Sequence, residues 1–213
     1  MARPRKTSDE ELLAAAGDAI ARLGPRFVLA DVAERAGVSP ASLVHRFGSK
    51  HGLLVAMIDA AVAAVRTRPI AAGDDDPVAA VRAEAVERYA VLDDAAGAAN
   101  NLAQLGFELC DEALRARLAD LYAAVEARLE TLLARAAHAG ALPGAPPAPV
   151  AARILAALVD GTALRWSATP TGSLKARLYA DLDAVLAGWG SREHRAHHPS
   201  DGLTDEGAAW TTG

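Results

Sequence analysis

Residues 30–54 read ADVAERAGVSPASLVHRFGSKHGLL, and the fold turns on how this stretch is read. Its apolar spacing predicts a short amphipathic helix over residues 29–36, closed by Gly37. Glycine suits that position because it adopts the left-handed conformation without a Cβ penalty. Ser39 then offers its hydroxyl to the free N–H groups of a second helix, and Pro40 is preset for that helix's first position. This second helix ends near Phe47. Ala33 is small where two helices must cross, while Val32, Val38 and Leu43 are apolar where they must wedge together. The unit is a helix-turn-helix, which lets a small helix enter the major groove of DNA. A bare helical hairpin accounts for the turn but not for Ser39, Ser42, His45, Arg46 and Lys50 on and just after the second helix.

Further helices are expected on both sides. Ser8 and Glu11 form a capping box for a helix over residues 9–23, stopped by Gly24-Pro25. Ser49 caps a long helix over residues 50–66. Gly73 to Pro77 is the clearest boundary, with Asp76 and Pro77 opening a helix over residues 77–92. A broken region over residues 93–101 is expected next, then a short helix over 102–109. Leu114, Leu118, Leu121, Val125, Leu129, Leu132 and Leu133 recur at three- and four-residue spacing, which predicts a long helix over 112–139. Two more close the chain, one from about 149 to 167 and one over 173–189. Residues 191–213 lack periodicity and read as a disordered tail.

The fold class is therefore all-α, with about nine helices: a three-helix head over residues 1–50 and a larger body over 51–190. Composition agrees, since 52% of the 213 residues are hydrophobic, mainly Ala and Leu, and only 4% are aromatic. No apolar run approaches the roughly 18 residues that span a membrane, and the start lacks the apolar segment of a signal peptide. One cysteine, Cys110, forms no internal disulfide, which fits a reducing cytoplasm. The net charge of −5 is unevenly placed. Residues 1–70 carry 10 Lys/Arg against 7 Asp/Glu (+3), and residues 71–213 carry 12 against 20 (−8). The basic end coincides with the helix-turn-helix, where phosphates would be neutralised.

Enzymatic and metal-binding readings find little. The sequence has no glycine-rich phosphate loop, no serine nucleophile elbow and no HExxH. Cys110 reads as a small core residue. His194, His197 and His198 have ligand-like spacing but fall in the tail, so neither a metal nor a cofactor is expected.

Asp31-Val32-Ala33, Ala36-Gly37-Val38-Ser39, His45, Phe47, Lys50 and Leu53-Leu54 together resemble the tetracycline-repressor-like (TetR) family of transcriptional regulators. The resemblance implies a regulator, most simply a repressor, that binds a palindromic operator in double-stranded DNA as a homodimer and is released by a small-molecule effector. It places Ser39, Pro40, Ala41, Ser42, Val44 and His45 against DNA, with Ala41 and Val44 near base edges. It also places Lys50 on a phosphate at a helix N-terminus. On that reading Lys50→Ala lowers the salt dependence of binding. The plainer alternatives are that Ser39 only caps a helix and Lys50 is only a solvated charge.

Three departures stand out. Phe27, Val28 and Leu29 fill a region where the family carries a polar cap, and Ala41 and Val44 stand where it carries Gly and a phosphate-binding Tyr. Arg26, Arg46 and the arm residues Arg3, Arg5 and Lys6 are expected to supply the missing phosphate contacts, the arm through the minor groove.

The resemblance also implies an effector pocket in the body, for which Asn100, Asn101, Gln104, Phe107, Glu108, Tyr122 and Arg165 are the polar and aromatic candidates. Helix capping and solvent-facing charge explain some of these equally well. The last two helices are expected to pair with their copies in a second subunit through Ile154, Leu155, Leu158, Thr162, Trp166, Leu174, Leu178, Leu182, Val185 and Trp189. The alternative is that this stripe faces the protomer's own core. A rival of another class, a dimeric helical module that binds a small molecule or protein with weakened DNA binding, rests on the apolar residues Val28 and Val44.

Overall fold

The computed structural model describes residues 7–70, 76–89 and 94–191. Among these the chain is entirely helical: α1 Asp9–Leu23, α2 Leu29–Ala36, α3 Pro40–Phe47, α4 Lys50–Thr67, α5 Pro77–Val86, α6 Ala95–Cys110, α7 Glu112–His138, α8 Ala148–Ala168 and α9 Leu174–Gly190. Single 3-10 turns at Gly24–Arg26 and Glu87–Tyr89 extend α1 and α5. No single helix among the described residues is long and apolar enough to cross a membrane.

Local chemistry sets the head. The Ser8 hydroxyl accepts from the Glu11 N–H at 3.1 Å, while the Ser8 N–H donates to Glu11 Oε2 at 2.8 Å. Gly37 takes φ +66°, and the Val38 N–H reaches back to the Ala33 carbonyl at 3.0 Å. The left-handed residue thereby ends α2 and aims the chain into α3. Ser39 then caps α3 by accepting the Ser42 N–H at 3.2 Å. Leu12, Ile20, Phe27, Val32, Leu43, Leu53 and Leu54 fill the interior of the head. Full burial of such a side chain stabilises by about 1.5–3 kcal/mol, more than any single cap, so packing holds the three short helices together.

That core does not stop at α3. Ile58 and Val62 of α4 and Leu114 and Leu118 of α7 belong to it, so the start of the long helix α7 braces the head. A second core, built from Val81, Leu129, Leu133, Leu155, Val159, Trp166, Leu178, Leu182 and Leu186, unites α5, α7, α8 and α9. The helix α6 bridges the two, packing against α1, the turn at Gly24–Arg26, α7 and α8.

The element α6 departs from the sequence expectation. It begins at Ala95 rather than near 102, because the Asp94 carboxylate accepts the Gly97 N–H at 2.8 Å and caps the helix. A Cβ on Gly97 would lie 2.6 Å from that carboxylate, so the glycine is what allows the cap to close. Asn100 and Asn101 therefore sit inside a helix. The Asn100 amide donates to the Ala21 carbonyl at 2.9 Å and ties α6 to α1, beside Gly24, whose φ is +58°. Likewise α5 proper stops at Val86, short of residue 92.

Candidate functional site

The helix α3 divides cleanly into an anchor and a display face. Leu43 is fully buried, whereas Pro40, Ala41, Ser42, Val44 and His45 are exposed. Ser39 and Ser42 share a hydroxyl–hydroxyl hydrogen bond of 2.9 Å. His45 and Arg26 have no hydrogen-bond or ionic partner among the described residues. Val28 is 53% exposed at the N-cap of α2. It cannot cap through its side chain; instead its N–H donates to Asp31 Oδ2 at 2.7 Å. The Asp31 carboxylate thus makes the reciprocal half of a capping box, accepting the N-cap residue's own N–H, while no side chain among the described residues accepts from the first turn of α2. This leaves Val28 and Val44 as an apolar contribution to the surface of the head.

Two residues expected to contact phosphate are engaged within the head itself. The Lys50 ammonium donates to the Pro25 carbonyl at 2.6 Å and the Phe27 carbonyl at 2.7 Å, and lies 4.1 Å from the centre of the Phe27 ring. Burial lowers its pKa, partly offset by Asp31. Lys50 is thus a clamp that fixes the 3-10 turn and the entry to α2 against the start of α4. Arg46 pairs with Asp9 and donates to the Thr7 carbonyl at 2.7 Å, fastening α3 to the start of α1. Both side chains reach backbone groups far away in sequence, which outcompete a solvated position. Arg3, Arg5 and Lys6 lie outside the described residues.

In the body the structure gathers some candidates and scatters others. Gln104 and Glu108 are buried together on one face of α6, with the Gln104 amide donating to Glu108 Oε1 at 2.8 Å. Burial raises the Glu108 pKa. Tyr122 of α7 is half-buried close enough to feel that carboxylate, and burial raises its pKa too. Phe107 and Arg165 are exposed, the Phe107 ring standing 5.7 Å from the Lys50 ammonium. Asn101 bonds only to the Gly97 carbonyl of its own helix.

Three polar residues missed in the sequence complete this region. The Arg88 guanidinium and the Tyr89 hydroxyl both donate to Asp160 Oδ1, at 2.7 and 2.5 Å, and Arg88 lies 5.3 Å from the Tyr122 ring. Burial is the main reason the Tyr89 hydroxyl is hard to ionise.

A second missed network holds the C-terminal end of α4. Arg128 of α7 meets both Glu84 oxygens at 2.9 and 3.0 Å and donates to the Val65 and Arg68 carbonyls at 3.1 and 2.6 Å. Its signal was present in the sequence: residue 128 falls between Val125, Leu129 and Leu132 on the apolar face of α7.

Most of the expected dimer stripe lies in the protomer's own interior. Leu155, Thr162, Trp166, Leu174, Leu178, Leu182 and Trp189 are buried within the single chain. The apolar ones among them belong to the core shared by α5, α7, α8 and α9, and the Thr162 hydroxyl donates to Asp181 Oδ2 at 2.7 Å. Leu158 and Val185 are partly buried against the same core. Ile154 at 42% exposure, joined by Leu164 at 56%, lies on the opposite, outer face of α8.

An all-helical head with a displayed α3, set on a larger helical body, defines a helix-turn-helix transcriptional regulator with a ligand-binding body. Comparison with known proteins agrees. The model of bacterial regulatory proteins of the tetR family matches residues 12–57, and that of the BetI-type transcriptional repressor C-terminal region matches 109–189. A putative TetR-family regulator from Rhodococcus sp. is 28% identical over 84% of this chain and 98% of its own, with a TM-score of 0.62. SmeT, the repressor of the Stenotrophomonas maltophilia efflux pump SmeDEF, is similar in fold at 23% identity, covering 89% and 93% of the two chains (TM-score 0.64). FadR from Bacillus subtilis, solved with stearoyl-CoA, shares the fold at 15% identity, covering 85% and 99% (TM-score 0.62). No curated protein sequence matches the chain. The chain belongs to the TetR family of transcriptional regulators.

Proposed function

We propose that this protein is a homodimeric, effector-released repressor of a partly palindromic operator. The observation that carries the reading is the display face of α3: Pro40, Ala41, Ser42, Val44 and His45 project from a helix whose other side is locked by Leu43. On this reading Ser42 and His45 approach bases and phosphates, Ala41 and Val44 meet thymine methyl groups, and Arg26 neutralises a phosphate. The basic residues Arg3, Arg5 and Lys6 precede Thr7, whose carbonyl Arg46 holds beside α3, so the arm starts next to the groove that α3 enters. Lys50 and Arg46 act by fixing the head's geometry rather than by touching DNA.

The dimer face is the outer surface of α8 and α9. Ile154, Leu158, Gly161 and Leu164 recur along α8 at helical spacing, and Ala180 and Ala184 are exposed on α9. Small residues there allow close approach of a second copy. A single head reads only a half-site, and a twin supplies the other.

Release follows from how α6 is placed. It contacts α1 and the Gly24–Arg26 turn directly, through the Asn100–Ala21 bond, and also borders the polar region of the body. A ligand that prefers a shifted α6 tilts the two heads out of register and lowers operator affinity by its preference for that state. SmeT, of the same fold, is a repressor, and FadR was solved holding an acyl-CoA. Gel shift against the protein's own upstream region tests the proposal. Retarded complex at low salt supports it; none across all salt concentrations favours the rival module without DNA binding.

A further inference from the structure

Within the effector-sensing body, on which this inference rests, one pair of side chains is incomplete. Gln104 is 3% exposed and Glu108 is 9% exposed, four residues apart on α6. Glu108 Oε1 accepts the Gln104 amide N–H at 2.8 Å. The carbonyl oxygen of Gln104 is buried with no hydrogen-bond partner. Turning the amide over would set that oxygen against an ionised carboxylate, so the orphan acceptor follows from the charge on Glu108. A buried acceptor without a donor is costly, and folded proteins leave few of them.

The charge is equally uncompensated. No ion pair reaches Glu108 among the described residues, and the cations named above on α4, α7 and the turn after α5 are engaged elsewhere. Arg88 is held by Asp160. Lys50 is held by the Pro25 and Phe27 carbonyls. Arg128 is held by Glu84. Tyr122 lies within electrostatic reach of the same carboxylate, and its hydroxyl has no hydrogen-bond partner among the described residues. The Gln104 carbonyl therefore lacks a donor, and the Glu108 carboxylate, which accepts only the Gln104 amide, lacks a positive charge.

We propose that Gln104 and Glu108 form the polar end of the effector site and select an organic cation bearing N–H groups, a protonated primary or secondary amine. One N–H of such a ligand fills the Gln104 carbonyl while its charge pairs with Glu108, a charge-assisted bond of the stronger kind. An anion is repelled by Glu108. A quaternary ammonium brings charge but no donor, so it leaves the Gln104 carbonyl unpaired.

The test is calorimetric titration of the full-length protein with n-alkylammonium ions from ethyl to octyl, with n-hexyltrimethylammonium and with hexanoate. Saturable binding of at least one primary ammonium is expected, weakened at least tenfold by Glu108→Gln and by Gln104→Leu and at least tenfold stronger than either control. The two variants serve as checks on each other should one fold poorly. Absence of binding by every primary ammonium overturns the proposal. So do equal affinities for hexyltrimethylammonium or hexanoate, and an unchanged affinity in Glu108→Gln. A high-resolution structure in the presence of the amine that shows only a resident water on Gln104 overturns it as well. A parallel gel shift separates the two levels: operator release by hexanoate alone keeps the effector reading and sinks the amine, while amine binding without release does the reverse.

Discussion

Arg128→Met is the most informative perturbation of the fold. It keeps an apolar stem of similar length in the second core but removes a guanidinium that is bidentate to Glu84 and caps the Val65 and Arg68 carbonyls at the end of α4. The two paired side chains are 8% and 9% exposed, so water does not replace the lost partner. Breaking a buried pair by removing one member costs about 3–5 kcal/mol. Arg68 still reaches Glu84 from a position one-third exposed and offsets part of this, which brings the expected loss to about 3 kcal/mol. For a chain of this size each kcal/mol moves the melting temperature by about 2–4 °C, so a fall of about 6–12 °C is expected. Urea unfolding at fixed protein concentration measures the free energy, and thermal melting under the same conditions the shift. Concentration must be held because the proposed dimerisation would couple to stability. Adding Glu84→Leu to Arg128→Met removes the stranded charge and is expected to restore about 1–3 kcal/mol. A loss below about 1 kcal/mol for Arg128→Met, or strict additivity of the pair, refutes the argument that a buried ion pair anchors α4.

Lys50→Met is expected to lower stability by about 1–3 kcal/mol through two lost charged hydrogen bonds, while the salt slope of operator binding stays that of the wild type. A slope smaller by about one unit restores Lys50 to a phosphate. Glu108 holds its proton more tightly in the folded than in the unfolded chain, because burial disfavours its charge and no cation answers it. Its contribution to stability is therefore greatest below the ordinary glutamate value of 4.5 and declines as pH rises through its raised value, after which the penalty is constant. Glu108→Gln is expected to remove that decline from melting curves taken as a function of pH; superimposable pH profiles contradict the burial argument. Ile154→Asp with Leu164→Asp is expected to yield monomers in sedimentation experiments without a large loss of helicity, since both side chains are exposed in the single chain. An unaltered dimer moves the interface elsewhere.

The head was almost fully legible because its signals are local. Ser8 with Glu11, Gly37 with Ser39-Pro40, and Ser49 each fix a helix end within four residues, and the structure places every one as a cap. The start of α6 was misread because Gly97 and the Asn100-Asn101 pair look like breakers. They are held helical by the Asp94 cap and by contact with α1, which sequence propensity does not contain. The sequence shows the charges of Lys50 and Arg46 but not the carbonyls that folding brings near them. Periodicity in α8 and α9 revealed which face is apolar, yet not what covers it. Trp166 and Leu182 are buried in the core of the single chain, while the less regular line of Ile154 and Leu164 is exposed. Among the candidate effector residues, Gln104 and Glu108 were visible as polar interruptions of an apolar helix. Arg88 and Asp160, 72 positions apart, meet only in three dimensions.

Selection of bound duplexes from a random DNA pool, with sedimentation of the recovered complex, probes the account at its centre. Enrichment of an inverted repeat whose half-sites lie about one helical turn, about 34 Å, apart or a multiple of it, with protein present in whole dimers, is the expected result. Recovery of no preferred sequence, or of a lone half-site carried by a single protomer, contradicts it.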